Sequence, residues 1–492
     1  MSEKRNRIAI IGGGPGGYVA AIRAAQLGGE VTIIEKDKLG GTCLNRGCIP
    51  TKSLLQSAGV LRQIERAGNF GISIENLSFD YAKVCRRKEK VVQQLLKGIG
   101  FLMKKNGISV ISGAGSIVEP GMVKVAGSEK MIEADKIIIA TGSEPASIPI
   151  AGTDREGVIT SDEAIAMEEL PESMIIIGGG VIGVEFAQLF CRLKTRVTVI
   201  EMMPRLLPTE DAEIALILEK KLTREGVAVY TDATVKEIGT NETFMSHGDT
   251  KDNENPPLPP FGKGGLGGFS GEKGEKVVTF SFKGEEKRLV AGKVLIAVGR
   301  RPCTENLGLE KLSISLKKDR IVVNNRMETD IENIYAIGDV VGDVMLAHKA
   351  MAEGRCAAQN AMGIVSEMDY RAVPRCIYTS PEVAAVGLTE REARKKYGDI
   401  KIGKFPLRAN GKALILDETD GMVKFIVEPR YGEVLGAGII GPHATEMIGE
   451  AALGIKLEAT FNDFASSIHA HPTLSESLME AALAVEGKSL HI

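Results

Sequence analysis

Cys43 and Cys48 lie five residues apart in the stretch Gly41–Lys52, GTCLNRGCIPTK. In a regular helix that offset sets the two side chains on different faces, with Cα atoms too far apart to bridge. For the sulfurs to pair, the stretch must be bent or only partly helical. A disulfide held in such a bend is easily reduced, so the pair would be a working redox couple rather than a staple. Two unrelated buried thiols fit the spacing equally well, because free cysteine often packs as a small hydrophobe.

A second chemistry is written in glycines. Gly12-x-Gly14-x-x-Gly17 follows an apolar strand, Arg7–Ile11, and opens an Ala-rich helix. A second strand, Glu30–Ile34, then ends in Glu35. This is the dinucleotide fingerprint in its proper context. Gly12 permits the tight turn, Gly14 lets a pyrophosphate approach the backbone, and Gly17 lets helix and strand pack closely. The helix N-terminus offers N–H groups and positive dipole to phosphates, and Glu35 can accept hydrogen bonds from a ribose. The unit returns at one constant offset of 166 residues, as Gly178, Gly180, Gly183 and Glu201. Two copies predict two dinucleotide sites on two related domains. An acid at Glu201 repels a 2′-phosphate and favours NAD(H) over NADP(H), whereas Arg205 counts the other way.

The third cluster is His469-Ala-His471-Pro472-Thr473-Leu474-Ser475-Glu476. A histidine suits a base poised near neutrality, and the cluster offers two of them with Glu476 beyond. A capping or core histidine beside the following helix is the bland alternative.

The elements that must position these groups follow from periodicity. Lys52–Lys105 has helical periodicity with charged faces, which read as a solvated surface. Val110–Val125 and Lys130–Ala140 read as strands, as do Val294–Val298 and Ile334–Ile337. Thr141-Gly142-Ser143 ends one of them. From Tyr370 strands alternate with helices: Val383–Gly387, Gly421–Glu428 and Val434–Ile440, then helical patterns around Glu446–Leu457 and Leu474–Val485. Residues 252–276 are dominated by Pro and Gly and read as a disordered surface insertion.

Composition bounds the rest. At 492 residues, about three domains are expected. A net charge of -3 advertises neither nucleic acid nor an anionic membrane. Seven cysteines are too few for a disulfide framework, and their odd number argues against a fully oxidised secreted chain. The apolar run before the first glycines is too short for a signal sequence, and no run is long enough to span a bilayer. A reducing cytoplasm is the expected compartment.

Taken together, these residues resemble the pyridine nucleotide–disulfide oxidoreductases, and most closely the dihydrolipoamide dehydrogenase branch. The resemblance runs nearly end to end through GGGPGGYVAA, GGTCLNRGCIPTK, ATGS, GGGVIGVEFA, AVGRRP, YAIGDV, MLAHKAMAEG, IYTSPEVAAVG and HAHPTLSE; only 252–276 has no counterpart. It implies an α/β fold with two Rossmann-like domains and an α+β dimerisation domain. The boundaries expected are 1–148 for FAD, 149–298 for NAD, 299–368 returning to the first, and 369–492 for dimerisation. It implies FAD on the first fingerprint and NAD on the second. Gly12, Gly14, Gly17 and Glu35 would hold the AMP half of FAD. Thr42 and Lys52 would flank the flavin, Gly115 and Thr141–Ser143 (including Gly142) would line its path, and Asp339 and Ala347 would close over it. Glu185 matches the usual partner of the lysine, or else is a solvated helix charge. Gly178, Gly180, Gly183, Glu201, Val235 and Gly299 fall at NAD positions. No metal is implied.

The implied reaction is oxidation of a carrier-bound dihydrolipoamide with NAD+ through a Cys43–Cys48 disulfide. Cys43 would meet the substrate thiolate and Cys48 the flavin, helped if Cys48 starts the helix after Ile49-Pro50. His471, immediately before Pro472, would be the base, oriented by Glu476 and acting on the partner's cysteines in a homodimer. The expected partners are a lipoyl-bearing carrier protein, or a 2-oxo acid dehydrogenase or glycine cleavage complex. Rival readings are a glutathione- or mercuric-reductase-like enzyme, an NADH oxidase or diaphorase, and a non-catalytic flavoprotein subunit. Glu201, the ending GKSLHI without cysteine, and the intact Cys43, Cys48, His471 and Glu476 count against them.

Overall fold

A computed structural model describes residues 5–240 and 275–492, which form two compact units. The first is assembled from Met1–Leu54, Asp80–Ala146 and Arg300–Asp369. At its centre is a parallel five-stranded sheet in the order Ile334–Ala336, Lys136–Ile139, Arg7–Ile11, Glu30–Glu35, Ser109–Ser112. Ile8 lies opposite Val31 and Lys136, and Ile10 opposite Ile33 and Ile138. Successive side chains point to opposite faces, so Ile8, Ile10 and Ile33 fill one core layer and Ala9, Ile11 and Ile34 the other. A sheet buried on both faces explains why its strands read as continuous apolar runs. Helix Pro15–Gln26 packs on helix Ala347–Ala361. Their crossing needs glycine, because a Cβ on Gly354 would lie 2.3 Å from the Gly16 carbonyl oxygen. A three-stranded antiparallel sheet, Gly115–Glu119, Met122–Val125 and Met131–Glu133, contributes Ile117, Val123 and Val125 to the second layer.

The second unit comprises Leu55–Phe79, Ser147–Gly299 and Tyr370–Ile492. It repeats the strand–helix–strand pattern as Ser173–Ile177, Val181–Arg192 and Arg196–Ile200, inside another parallel five-stranded sheet. An antiparallel sheet of Ala233–Thr240, Lys276–Phe282 and Glu285–Ala291 accompanies it. The remainder is an antiparallel five-stranded sheet in the order Arg375–Ile377, Glu382–Gly387, Val434–Gly441, Met422–Val427, Lys401–Pro406, packed with helices Ala444–Lys456 and Glu476–Ala484. The expected fold class is what the chain forms.

Three local readings change. The helical pattern over Lys52–Lys105 is two helices, Cys48–Glu65 and Tyr81–Lys105, the second started by Asp80, whose side chain accepts from Lys83 N. Its charges are not all solvated, since Lys88 is buried. The stretch 252–276 lies outside the described residues except for Glu275 and Lys276, and Lys276 already opens a strand and is buried. Among the described residues, no helix is long and apolar enough to cross a membrane.

Candidate active site

The redox segment is bent, as pairing of its sulfurs requires. Helix Gly41–Arg46 stops at Gly47 and helix Cys48–Glu65 starts at the next residue. The chain passes so close to itself there that a Cβ on Gly47 would lie 3.0 Å from Thr42 O and 3.3 Å from Cys43 Cα. This break overcomes the five-residue offset, and Cys43 and Cys48 share a hydrogen bond. Among the described residues every cysteine is a thiol. The hydrogen bond with Cys48, and then burial, push the Cys43 thiol far up, while the charge of Lys52 opposes them. Cys48 is the first residue of its helix, where the dipole favours a thiolate, and Pro50 in the first turn forfeits no helical hydrogen bond. Tyr18, on the first fingerprint helix, is raised by burial and then by the Cys43 sulfur, which places the redox segment beside that helix.

The first fingerprint is a cradle in which each glycine has a separate cause. Gly12 has φ +107, and a Cβ there would lie 2.2 Å from Ala140 O; one on Gly17 would lie 2.0 Å from Gly12 O. Gly14 is different, because a Cβ there would meet only Gly41 Cα at 3.9 Å. The protein itself leaves room for a side chain at Gly14, so the missing one keeps space open above the helix N-terminus, as a bound pyrophosphate needs. Glu35 ends the second strand buried and accepts from Gly13 N at 2.6 Å and Asp37 N at 2.8 Å. Each carboxylate oxygen keeps a further lone pair that a ribose hydroxyl can use. The residues present fit a dinucleotide.

The rest of this cradle is tied by polar contacts between distant segments. Ser143 Oγ donates to Asp339 Oδ2 at 2.5 Å and accepts from Arg300 Nε at 2.7 Å. Thr141 Oγ1 donates to Cys303 O at 2.7 Å, and Cys303 N to Gly142 O at 2.9 Å. Ala347 is the first residue of its helix, and Gly338 N donates to the buried Glu353, which pairs with Lys349 at 3.0 Å. Gly115 is buried against Ile11 and Ile34. Arg300 and Tyr18 were not among the site residues expected from the sequence, although AVGRRP and GGGPGGYVAA held them.

The second fingerprint repeats the geometry. Gly178 has φ +109 and no room for a Cβ beside Ala297 O; Gly183 abuts Gly178 O; a Cβ on Gly180 would meet nothing within 4 Å. Glu201 accepts from Gly179 N at 2.5 Å and Met203 N at 2.7 Å. Arg205 is turned to Pro208 O at 3.0 Å. Val235 is buried in strand Ala233–Thr240, and Gly299 has φ +117. Glu185 is not a solvated helix charge. It is 3% exposed and accepts from Tyr378 N at 2.9 Å. One turn further on, Gln188 grips Ser380 with both ends of its amide, at 2.7 and 2.8 Å.

His471 Nδ1 lies 2.8 Å from Glu476 Oε1, so Nδ1–H donates to the carboxylate and Nε2 is the nitrogen that can take a proton. Glu476 opens helix Glu476–Ala484, and its Oε2 accepts from Thr473 N at 2.7 Å. Partial burial raises Glu476, but the Thr473 N–H and the His471 ring outweigh it and hold the carboxyl below its ordinary range. The His471 side chain is 79% exposed. His469 is unlike it: its ring is buried and both nitrogens are engaged, by Glu450 at 2.9 Å and Ser467 O at 3.2 Å. Cys43, Cys48 and the first fingerprint thus lie in the first unit, and His471, Glu476, Glu185 and the second fingerprint in the second.

Residues 6–354 match the pyridine nucleotide-disulphide oxidoreductase family and residues 373–482 its dimerisation domain. A dihydrolipoyl dehydrogenase of Bacillus subtilis is 43% identical over 98% of this chain and 99% of its own. A mitochondrial dihydrolipoyl dehydrogenase of Pisum sativum is 38% identical over 99% and 93%. Among solved structures, LpdA from Mycobacterium tuberculosis superposes with a TM-score of 0.85 at 29% identity, covering 97% of this chain and 99% of that one. The flavoprotein disulfide reductase RclA of Escherichia coli, at 28% identity over 97% and 99%, gives 0.81. With the thiol pair, both dinucleotide cradles and the dimerisation domain in place, the chain belongs to the pyridine nucleotide–disulphide oxidoreductases, as an FAD- and NAD-using enzyme of the dihydrolipoyl dehydrogenase kind.

Proposed function

We propose that Cys43 and Cys48 are the redox couple of this enzyme and that His471, oriented by Glu476, is its base, in a homodimer whose active sites combine residues of both subunits. The observation that carries this reading is the break at Gly47 with the hydrogen bond it permits between the sulfurs. In the oxidised enzyme, one dihydrolipoamide thiolate attacks Cys43 Sγ, the Cys43–Cys48 bond breaks, and Cys48 leaves as a thiolate. The second substrate thiolate attacks the substrate sulfur of the mixed disulfide, closing the ring of lipoamide and releasing Cys43, which takes a proton. His471 Nε2 accepts the proton that the attacking thiol gives up, and Glu476 stabilises the resulting imidazolium. FAD, when bound on the first fingerprint, would supply two-electron redox chemistry between the Cys43/Cys48 pair and NAD+.

Gly12, Gly14, Gly17 and Glu35 would hold the AMP half of FAD, with Thr42, Lys52, Gly115, Thr141–Ser143, Asp339 and Ala347 around its remainder. Lys52 would steady negative charge on the reduced ring. Gly178, Gly180, Gly183, Glu201, Val235 and Gly299 would hold NAD. His471 is favoured over His469 because its ring is open and only its Nδ1 is tied to a carboxylate. A lipoyl-bearing carrier in the cytoplasm is the partner, as the E3 component of a 2-oxo acid dehydrogenase or glycine cleavage complex.

Mixing a Cys48→Ser chain with a His471→Ala chain tests the shared site. Verified heterodimers should regain part of the dihydrolipoamide–NAD+ activity that both parents lack, and no recovery would refute the cross-subunit arrangement. Turnover with glutathione disulfide and NADPH exceeding that with dihydrolipoamide and NAD+ would refute the substrate assignment.

A further inference from the structure

We infer that His491 is a positioning residue for the His471–Glu476 pair: docked on Glu480, it balances a buried carboxylate that would otherwise set a second negative charge one helical turn from Glu476. The inference rests on the reading of His471 as the base.

Glu480 follows Glu476 by four residues on helix Glu476–Ala484, so the two carboxylates lie on one side of it. The Glu480 side chain is 3% exposed. Its hydrogen bonds come from one short segment. Ser489 Oγ donates to Oε2 at 2.5 Å, Leu490 N to the same oxygen at 2.8 Å, and His491 Nδ1 to Oε1 at 2.6 Å. Burial raises Glu480, but the bonds from Ser489, His491 and Leu490 outweigh it and keep it ionised below the ordinary range. His491 also acts on Glu476 through space, helping to hold that carboxyl down. Helix Glu476–Ala484 thus carries two His–Glu pairs in series, one open at His471 and one clasped.

The other charges near this segment are engaged with partners of their own, and His469, two residues before His471, is held by Glu450 at 2.9 Å. Lys488 pairs with Glu486 at 2.7 Å, and Lys401 acts on Glu486 as well. Ser489 and Ile492 border a cavity of about 660 Å³ whose charged lining is Glu390, Arg394 and Lys404. There Arg394 pairs with Glu390 at 2.8 Å and Lys404 with Glu213 at 2.7 Å. Among the described residues, His491 is the side chain that forms an ion pair with Glu480 when its ring is protonated.

The sign of the effect follows. Glu480 without its cation favours the imidazolium of His471, so the neutral base is lost at a higher pH. His491→Gln should move the acid limb of the kcat/KM profile upward by about half a pH unit, the size of one unit charge acting through a solvated helix turn. His491→Lys sets a permanent positive charge beside Glu480 and should restore the parent limb. The double variant Glu480→Gln/His491→Gln removes both charges and should restore it too. A segment that merely packs would lower kcat in all three without moving the limb.

The decisive set is these three variants and His471→Ala, each profiled from about pH 5.5 to 9 with dihydrolipoamide and NAD+, with flavin content and dimer mass checked. A limb shifted in His491→Gln and restored in the other two supports the inference. A limb unmoved in His491→Gln, while His471→Ala loses it, overturns the inference alone. If His471→Ala keeps the limb, the base assignment falls and this inference with it. Should His491→Gln fail to fold, a displaced limb in His491→Lys overturns it and a parent-like limb in both His491→Lys and the double variant supports it.

Discussion

The two fingerprints share a backbone and differ in their surroundings. In the first, Gly40 N returns to donate to Gly13 O at 2.8 Å, and the chain runs straight on into Gly41 and the redox helix. Gly41 then stands over Gly14, its own Cβ position 2.7 Å from Gly14 Cα. In the second, Leu207 N donates to Gly179 O at 2.9 Å, the equivalent return, but that chain runs on into a helix capped by Asp211. Gly180 stays open, and Met202 beside Glu201 is 69% exposed. One cradle is roofed by the segment that leads into the thiol pair and the other is open at Gly180. A roofed site suits a cofactor that stays for every turnover. An open one suits a co-substrate that must enter and leave each time.

The comparison can be broken most severely at the equivalent glycines. Gly14→Val should yield a colourless protein without activity, because the branched side chain takes the pyrophosphate space under the roof. Gly180→Val should stay yellow and raise the KM for NAD+ by about 100-fold. Visible spectra and steady-state kinetics read the two effects, and equal loss of flavin in both variants would erase the distinction. A smaller effect is expected at Glu201. Glu201→Ala should raise the KM for NAD+ by about tenfold and narrow its advantage over NADP+, since a carboxylate there repels a 2′-phosphate. Unchanged discrimination would assign selectivity to Arg205.

What could be read without coordinates was what is local. The fingerprints sit within about thirty residues, and each glycine and its acid obey short-range geometry. The break at Gly47 was only conditional, because the five-residue offset forbids pairing until a glycine lets the chain touch Thr42. The contacts that fix Glu185 and Gln188 were out of reach, since Tyr378 and Ser380 lie some 190 residues away and donate or accept through backbone, leaving no side-chain signature. Strand Lys401–Pro406 was not picked out among the alternating elements that follow Tyr370, and Lys276 was hidden by the Pro/Gly composition before it. The clasp of Glu480 joins groups ten residues apart, close enough to suspect, but no motif marks it.

The smallest effect concerns pH and stability. Glu476 is held below its ordinary value of 4.5. Its stabilisation is therefore complete above that value and fades as pH falls through the depressed one. Glu476→Gln should cost about 1 kcal/mol near neutrality, and that cost should shrink as pH falls below 4.5. Denaturant midpoints of the two proteins should converge on acidification. A gap that widens would reverse the sign.

The most direct test of the sulfur relay is anaerobic titration of the purified yellow enzyme with dihydrolipoamide. One equivalent should raise a long-wavelength absorbance band from the Cys48 thiolate against oxidised flavin, and Cys48→Ser should lose both that band and turnover by more than about 10³-fold. Flavin that bleaches directly with no such band, or that dihydrolipoamide leaves untouched, would contradict the account.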